Sequence, residues 1–280
     1  MKRLVVRLAL LTLCVGALIG CFAEEGRIGI LTPSGVSEDE LNENLQDTLF
    51  NAMPFSRCKF FDTFNSLILG LGNGTIEAIE MDEYVSGFLF SRMENLARYK
   101  PADLPEFQVG YCMLLREEDV ELRDRISGAI MDMTEDGTLD ALKARYIDDV
   151  IAGSEPEVVT PEQFEGADTI RVALTGDRPP MDYFSEAGEA IGFNTALVTE
   201  VAKRLKMNVE FISVEAGGRA VALASKAADV IFWSLLGDFK NWEKANAEDQ
   251  PEHTILTTPY LTGTLYYIVP ADSPLADKSL

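Results

Sequence analysis

The sequence predicts an α/β protein of two lobes, each built on a mainly parallel sheet. Short apolar runs of strand length alternate with helical stretches in both halves, joined by short loops rich in Gly, Pro, Asn and Asp, the pattern of βα units. Residues 21–280 number 260, enough for two lobes with separate cores. Between the halves, residues 148–168 (DDVIAGSEPEVVTPEQFEGAD) hold Gly, Pro, Ser and many acids without a period, and read as a linker.

In chain order, residues 27–31 (RIGIL) form the first strand, and Thr32-Pro33-Ser34-Gly35 the loop after it. Ser37 with Glu40 three residues on is a capping-box start for a helix. Cys58 to Phe61 is the second strand, and Asp62 to Leu71 a helix closed by Gly72-Asn73-Gly74. Thr75 to Met81 is the third strand, leading through Asp82 into a helix that runs to about Leu96. Gln108 to Leu115 has strand length, and two helical patterns broken at Asp136-Gly137 follow it. Past the linker come a strand from Ile170 to Leu174, the loop Thr175 to Tyr183, and a helix from Gly192-Phe193 to Leu205. Strands at Asn208–Ile212, Asp229–Phe232 and Thr264–Val269 complete the reading.

The amino terminus predicts export. Lys2, Arg3 and Arg7 accompany an apolar run from Leu8 to Ile19, too short to span a membrane as a helix and typical of a signal peptide. Leu18-Ile19-Gly20-Cys21 resembles a bacterial lipobox, which implies a signal peptide over residues 1–20 and lipidation at Cys21. The chain has 24 Lys and Arg and 46 Asp and Glu; without Lys2, Arg3 and Arg7, 21 basic residues remain and the formal charge is −25. Such an acidic chain is a poor match for nucleic acid. No metal or other cofactor is expected, since His253 is the one histidine and no cysteine cluster exists. His253 is expected at the surface, and Cys58 and Cys112 either pair as a disulfide or are buried separately.

Several segments together resemble the type 2 periplasmic solute-binding proteins of family 3, the polar-amino-acid group. These are the strand, loop and helix from Ile170, then Asp229-Val230-Ile231-Phe232, then Thr258-Pro259-Tyr260 before a crossover strand. Asp136-Gly137-Thr138-Leu139 resembles the turn between the family's closing helices. In that family the segment found here at 169–263 comes first, so the resemblance implies a type II binding-protein fold in circularly permuted order. It places the second lobe at 25–107 and the crossover strand and helices returning to the first lobe at 108–147. The linker at 148–168, the first lobe at 169–263 and a crossover strand toward the second lobe at 264–280 complete the division.

The resemblance also implies a site between the lobes. Asp177 and the segment Met181 to Tyr183 fall on the first loop, where the family presents an aromatic face; Met181 replaces its first aromatic, and Tyr183 is either that face or a packing residue. Trp233 and Ser234 end a strand, with Trp233 either in the cleft or buried against the sheet. Thr32 and Ser34 lie in a loop that either binds a carboxylate or is a plain capped turn. Asp82 either receives a ligand ammonium or is an ordinary helix N-cap, with Glu80 its lesser neighbour. The arginine with which amino-acid binders grip a carboxylate is missing from Leu235 to Asn241, and neither Lys240 nor Arg219 matches its position well.

The implied function is a lipid-anchored extracytoplasmic protein that captures a small polar solute for an ABC transporter permease. Such a protein is not an enzyme. A sensor or interaction lipoprotein on the same fold is the alternative, with a lobe-swapped dimer possible. A dehydratase-like enzyme using Asp82, Glu80 or Asp177 is a third.

Overall fold

The structure is a computed structural model that describes residues 26–45, 55–99, 107–237 and 250–277. The proposed signal peptide, Cys21 and Lys240 lie outside the described residues. The first half opens with β1 (Gly26–Leu31), α1 (Glu38–Leu45), β2 (Phe55–Phe61), α2 (Phe64–Gly72), β3 (Ala78–Asp82), α3 (Glu83–Arg92) and β4 (Leu96–Tyr99). There follow β5 (Phe107–Arg116), α4 (Val120–Glu135) and α5 (Thr138–Lys143), from which helical turns continue to Ile151. The second half holds β6 (Thr169–Leu174), the short strands β7 (Asp177–Arg178), β8 (Asp182–Phe184) and β9 (Ala190–Ile191), and α6 (Phe193–Leu205). The last elements are β10 (Asn208–Ser213), α7 (Arg219–Ala224), β11 (Val230–Leu236), β12 (Thr254–Leu256) and β13 (Leu261–Pro270).

Two parallel units share one continuous sheet of order β10-β6-β11-β5-β13-β3-β1-β2. In each unit the first strand lies between the second and third, so both β2-β1-β3 and β10-β6-β11 reverse direction of winding at their first strand. The units meet through β5 and β13, which pair antiparallel with Leu261 opposite Tyr111 and Leu265 opposite Phe107. β5 otherwise pairs with β11 and β12, and the later half of β13 with β3 and β4. The two lobes are therefore joined by a hydrogen-bonded ribbon rather than by independent threads. That ribbon is the natural axis of any hinge motion.

Local chemistry explains most element boundaries. Ser37 Oγ accepts from the Glu40 amide at 3.2 Å, as the capping-box spacing predicts. Thr63 caps α2 through the Ser66 amide at 3.1 Å. Gly137, with φ of 80°, turns α4 into α5, and Asp136 Oδ1 accepts from the Thr138 amide at 2.9 Å. α6 lays Phe193, Leu197, Val198 and Val201 into the core, each fully buried and contributing about 1.5–3 kcal/mol.

Several boundaries differ from the sequence reading: β2 starts three residues early, at Phe55, and β11 runs on to Leu236 where β5 supplies its partner. The helix after Asp82 ends at Arg92, not near Leu96, and Leu96–Tyr99 becomes β4. Those four residues pair with Tyr267–Pro270, a partner about 170 positions away that no local pattern reveals. β3 starts at Ala78 because Thr75 is held in a turn, its amide and hydroxyl both donating to Asn73 Oδ1. β13 begins at Leu261, three residues early, where β5 supplies its partner.

Cys58 and Cys112 are separately buried free thiols, so the disulfide alternative is not realised; burial pushes both thiols up, to about 11 and about 12. His253 is exposed. Along the outer edge of the sheet, α1 side chains occupy the free edge of β2. Glu38 Oε2 accepts from the Phe60 amide at 2.7 Å, and Asn42 both accepts from the Cys58 amide at 2.8 Å and donates to its carbonyl at 3.1 Å.

At the far end of the first strands, Asp229 is clamped by two arginines. Its carboxylate accepts from Arg116 Nη2 at 2.9 Å, Arg171 Nη2 at 2.8 Å, Arg171 Nε at 3.0 Å and the Arg171 amide at 3.0 Å. Burial opposes ionisation, but the hydrogen bonds from Arg171 and Arg116 win and hold the carboxyl below its ordinary value of 3.8. Because the folded-state pKa is depressed, the clamp stabilises fully above 3.8 and its contribution is lost as pH falls through the lowered value. Asp229→Asn should cost about 1–3 kcal/mol at pH 7. In urea titrations repeated at decreasing pH, the gap to the wild type should narrow in acid; a constant gap would contradict the clamp.

Candidate functional site

In open α/β units, binding occurs beyond the carboxyl ends of parallel strands, where the strand order reverses. Here those points are the loops after β1 and β3 in one lobe and after β6 and β11 in the other. The two reversals face each other across the β5–β13 ribbon. Asp82, Arg178, Asp182 and Trp233 come together there.

Asp82 splits its two oxygens between two roles. Oδ1 caps α3, accepting from the Tyr84 and Val85 amides at 3.0 Å each. Oδ2 faces the other lobe, 3.7 Å from Arg178 Nη2, and has no hydrogen-bond partner among the described residues. The N-cap and cleft readings of Asp82 are thus compatible in one side chain. Burial pushes its carboxyl above the ordinary range, opposed by Arg178 and then by the Val85 and Tyr84 amides.

Arg178 is the residue the sequence reading passed over. It sits on β7 within the loop TGDRPPMDY, is 9% exposed, and lays its guanidinium 3.3 Å from the centroid of the Trp233 ring. The family pattern places its arginine after β11, not on this loop. The only signal for Arg178 was a basic residue in a cleft loop between two acids, Asp177 and Asp182.

Trp233 has a φ of 75°, a region that a large side chain seldom adopts. It falls where the register of β11 against β5 shifts between Ile231 and Ser234. Such a bulge re-aims a side chain, and here the indole turns to donate from Nε1 to Asp182 Oδ1 at 2.8 Å. The result is a buried ring with the Arg178 guanidinium over its face, one wall of the interlobe cluster. Ser234 beside it is 1% exposed, and its Oγ lacks a hydrogen-bond partner among the described residues.

Asp182 anchors this wall. Its carboxylate also accepts from the Thr175 hydroxyl at 2.9 Å, the Thr175 amide at 3.1 Å, the Gly176 amide at 3.3 Å and Asn194 Nδ2 at 3.1 Å. Burial raises its pKa, with Arg178 and these hydrogen bonds opposing. α6 is fixed against the same loop, since the Phe193 and Asn194 amides donate to the carbonyls of Pro180 at 3.0 Å and Met181 at 2.8 Å. Met181 is fully buried under the loop. Tyr183 is half-buried on β8, and burial pushes its hydroxyl up to about 12.

Asp177 reaches into the other lobe. Its Oδ2 accepts from the Phe64 amide at 2.6 Å, at the amino end of α2. A carboxylate there meets free N–H groups and the positive end of the helix dipole. Two further contacts cross between lobes: Arg219 Nη2 donates to the Thr32 carbonyl at 2.9 Å, and the Ala216 amide to the Asp62 carbonyl at 3.0 Å. Arg219 also donates to the carbonyls of Phe232 at 2.9 Å and Ala216 at 3.0 Å. The Thr32 hydroxyl donates to Asp62 Oδ1 at 2.7 Å, and Ser34 lies partly buried in the turn before α1. The contacts of Thr32 are with Asp62 and Arg219 rather than with Arg178. Glu80 lies on β3 opposite Tyr267.

Two α/β lobes joined by paired crossover strands, with a cleft between facing strand ends, form the type II periplasmic binding-protein fold. Among the described residues no helix is long and apolar enough to cross a membrane, and no group of acids, cysteines or histidine is placed to hold a metal ion. Comparison with curated proteins gives no match. Among solved structures, the ligand-binding core of GluR0 in complex with L-glutamate aligns at 9% identity over 91% of this chain and 88% of its own, with a TM-score of 0.41. The GluR0 core from Nostoc punctiforme aligns at 12% identity over 89% and 86%, with a TM-score of 0.38. A putative L-cystine ABC transporter from Listeria monocytogenes aligns at 10% identity over 90% and 85%, with a TM-score of 0.39. Residues 170–275, the segment that carries Arg178, Asp182 and Trp233, match the bacterial extracellular solute-binding proteins, family 3.

Proposed function

We propose that the protein is an extracytoplasmic solute-binding protein, lipid-anchored through Cys21, that captures a small polar, amino-acid-like solute for an ABC importer. One observation carries the reading. The strand-order reversals of two lobes bring a carboxylate oxygen of Asp82, the Arg178 guanidinium and the Trp233 ring to one buried place. Such a set can pair with a cationic group at Asp82 and an apolar stem on Trp233 once the Arg178 guanidinium moves aside. The anionic group of such a solute finds free N–H groups at the amino end of α2 in place of the arginine missing after β11. The permuted order is part of the proposal, with residues 25–107 supplying the second lobe and residues 169–263 the first. It is supported by the match of family 3 to residues 170–275, behind a first half that has the same strand order.

A thermal-shift screen against amino acids, small peptides, polyamines and organic acids tests this, using Cys21→Ser protein without residues 1–20. A solute that binds only the folded state should add about 2.7 kcal/mol at a hundredfold excess over its dissociation constant. The shift should disappear in Asp82→Ala. A specific observation favours a second reading, a sensor or interaction lipoprotein: the lobes already touch through Asp177 and Arg219 with only protein groups. No shift from any solute class, with either the wild type or a cleft variant, would favour that reading.

A further inference from the structure

We infer that the adjacent pair Asp177–Arg178 is a built-in surrogate ligand that holds the cleft closed without solute. The pair presents opposite charges from one lobe to two complementary sites on the other. The Asp177 carboxylate sits on the amino end of α2 at the Phe64 amide, 2.6 Å away, and the Arg178 guanidinium faces Asp82 Oδ2 at 3.7 Å while stacked on Trp233. A free zwitterion entering between the lobes would seek the same two partners, an N–H-rich helix end for its anionic group and a buried carboxylate for its cationic one. The cleft supplies both from its own β7.

The surrogate is held firmly but satisfies its surroundings incompletely. Gly176, just before the pair, has a φ of 71°, and a Cβ there would lie 2.1 Å from the Phe184 ring, so the loop's path is set by a position that only glycine fits. Asp182 ties the other end of the loop to α6 and β11. Yet Asp82 Oδ2, Arg178 Nε and Ser234 Oγ are buried without hydrogen-bond partners among the described residues. A solute able to satisfy these atoms gains what the surrogate leaves unmade. It must, however, displace the pair, so its apparent affinity is lowered by the fraction of protein that is self-closed.

The inference extends the proposed solute-binding function, but its test reads lobe closure and needs no solute. Ketone-bearing residues placed at Leu69 on α2 and Val221 on α7, both strongly exposed, allow spin labels on opposite lobes of the full chain without using its thiols. Pulsed dipolar spectroscopy should give one short distance for the otherwise unaltered protein without solute. Asp177→Ala/Arg178→Ala should add a longer, broader population. Millimolar guanidinium should restore the short one in the single variant Arg178→Ala. If the double variant does not fold, as judged by circular dichroism, Arg178→Lys keeps the charge and stem but removes the planar stack, and should show the longer population in part. Equal distances in the unaltered protein and in the folded variant would overturn the surrogate. Solutes that do bind should do so about tenfold or more tightly in the double variant. If no solute stabilises the unaltered protein or the variants while the distances change as expected, the solute reading fails and the surrogate stands.

Discussion

Asp182→Ala should destabilise the protein by about 3–5 kcal/mol, the cost of breaking a buried charged network from one side. Five donors from three elements converge on this carboxylate: two from Thr175 and one from Gly176 in the loop after β6, Asn194 at the start of α6, and the Trp233 indole on β11. Alanine leaves all five without this acceptor, those of Asn194 and Trp233 buried, and leaves Arg178 with one fewer of its countercharges. Asp182→Asn keeps the shape but turns one half of the group into a donor that faces donors, so it should fall between alanine and the wild type. Urea unfolding at pH 7 followed by circular dichroism measures both. A loss below about 1 kcal/mol for alanine would mean that the network is weaker than its geometry.

Gly192→Ala should cost about 3 kcal/mol or more. Its backbone, with φ of 104° and ψ of 176°, lies in a region essentially reserved for glycine, and that alone costs about 1–3 kcal/mol. A Cβ would also lie 2.5 Å from the Met181 carbonyl oxygen and 2.8 Å from that of Pro180. Both obstacles are backbone, and both oxygens accept hydrogen bonds from the first amides of α6, so relief of the clash breaks the bonds that seat the helix. Gly74→Ala is the control. Its φ is 74° but nothing lies within 4 Å of its Cβ, so only the left-handed backbone cost, about 1 kcal/mol, should appear. Equal losses at the two positions would show that the contact with the loop carbonyls does not matter.

The strands and helices that sequence reading placed well are those whose cause is local. The caps at Ser37 and Asp82, the Asp136-Gly137 break and the apolar run of β5 each act within a few residues. β4 was missed because its strand character comes wholly from β13. The site was legible in part for the same reason. Asp82 ends β3 and Asp177 lies just past β6, positions that sequence can mark, whereas Trp233, expected to end a strand, lies inside β11, which runs on to Leu236 along β5. Arg178 and Asp182 sit in a nine-residue loop whose course depends on Gly176, on α6 and on the indole of Trp233, and only the folded chain shows that their charges point inward. Thr32 stands in a loop that sequence marks as a carboxylate site or a capped turn, and its contribution across the lobes is the backbone carbonyl that Arg219 takes.

The arrangement of α1 along β2 bears on how this protein behaves in a crowded compartment. A bare edge strand is a template on which a second chain can add, and repeated addition is a route to aggregation. On β2 the Phe60 and Cys58 amides and the Cys58 carbonyl already bond to Glu38 and Asn42, so an incoming strand finds those places taken. Loss of two polar side chains, Glu38 and Asn42, would leave the cleft untouched and yet expose that edge to a neighbouring molecule.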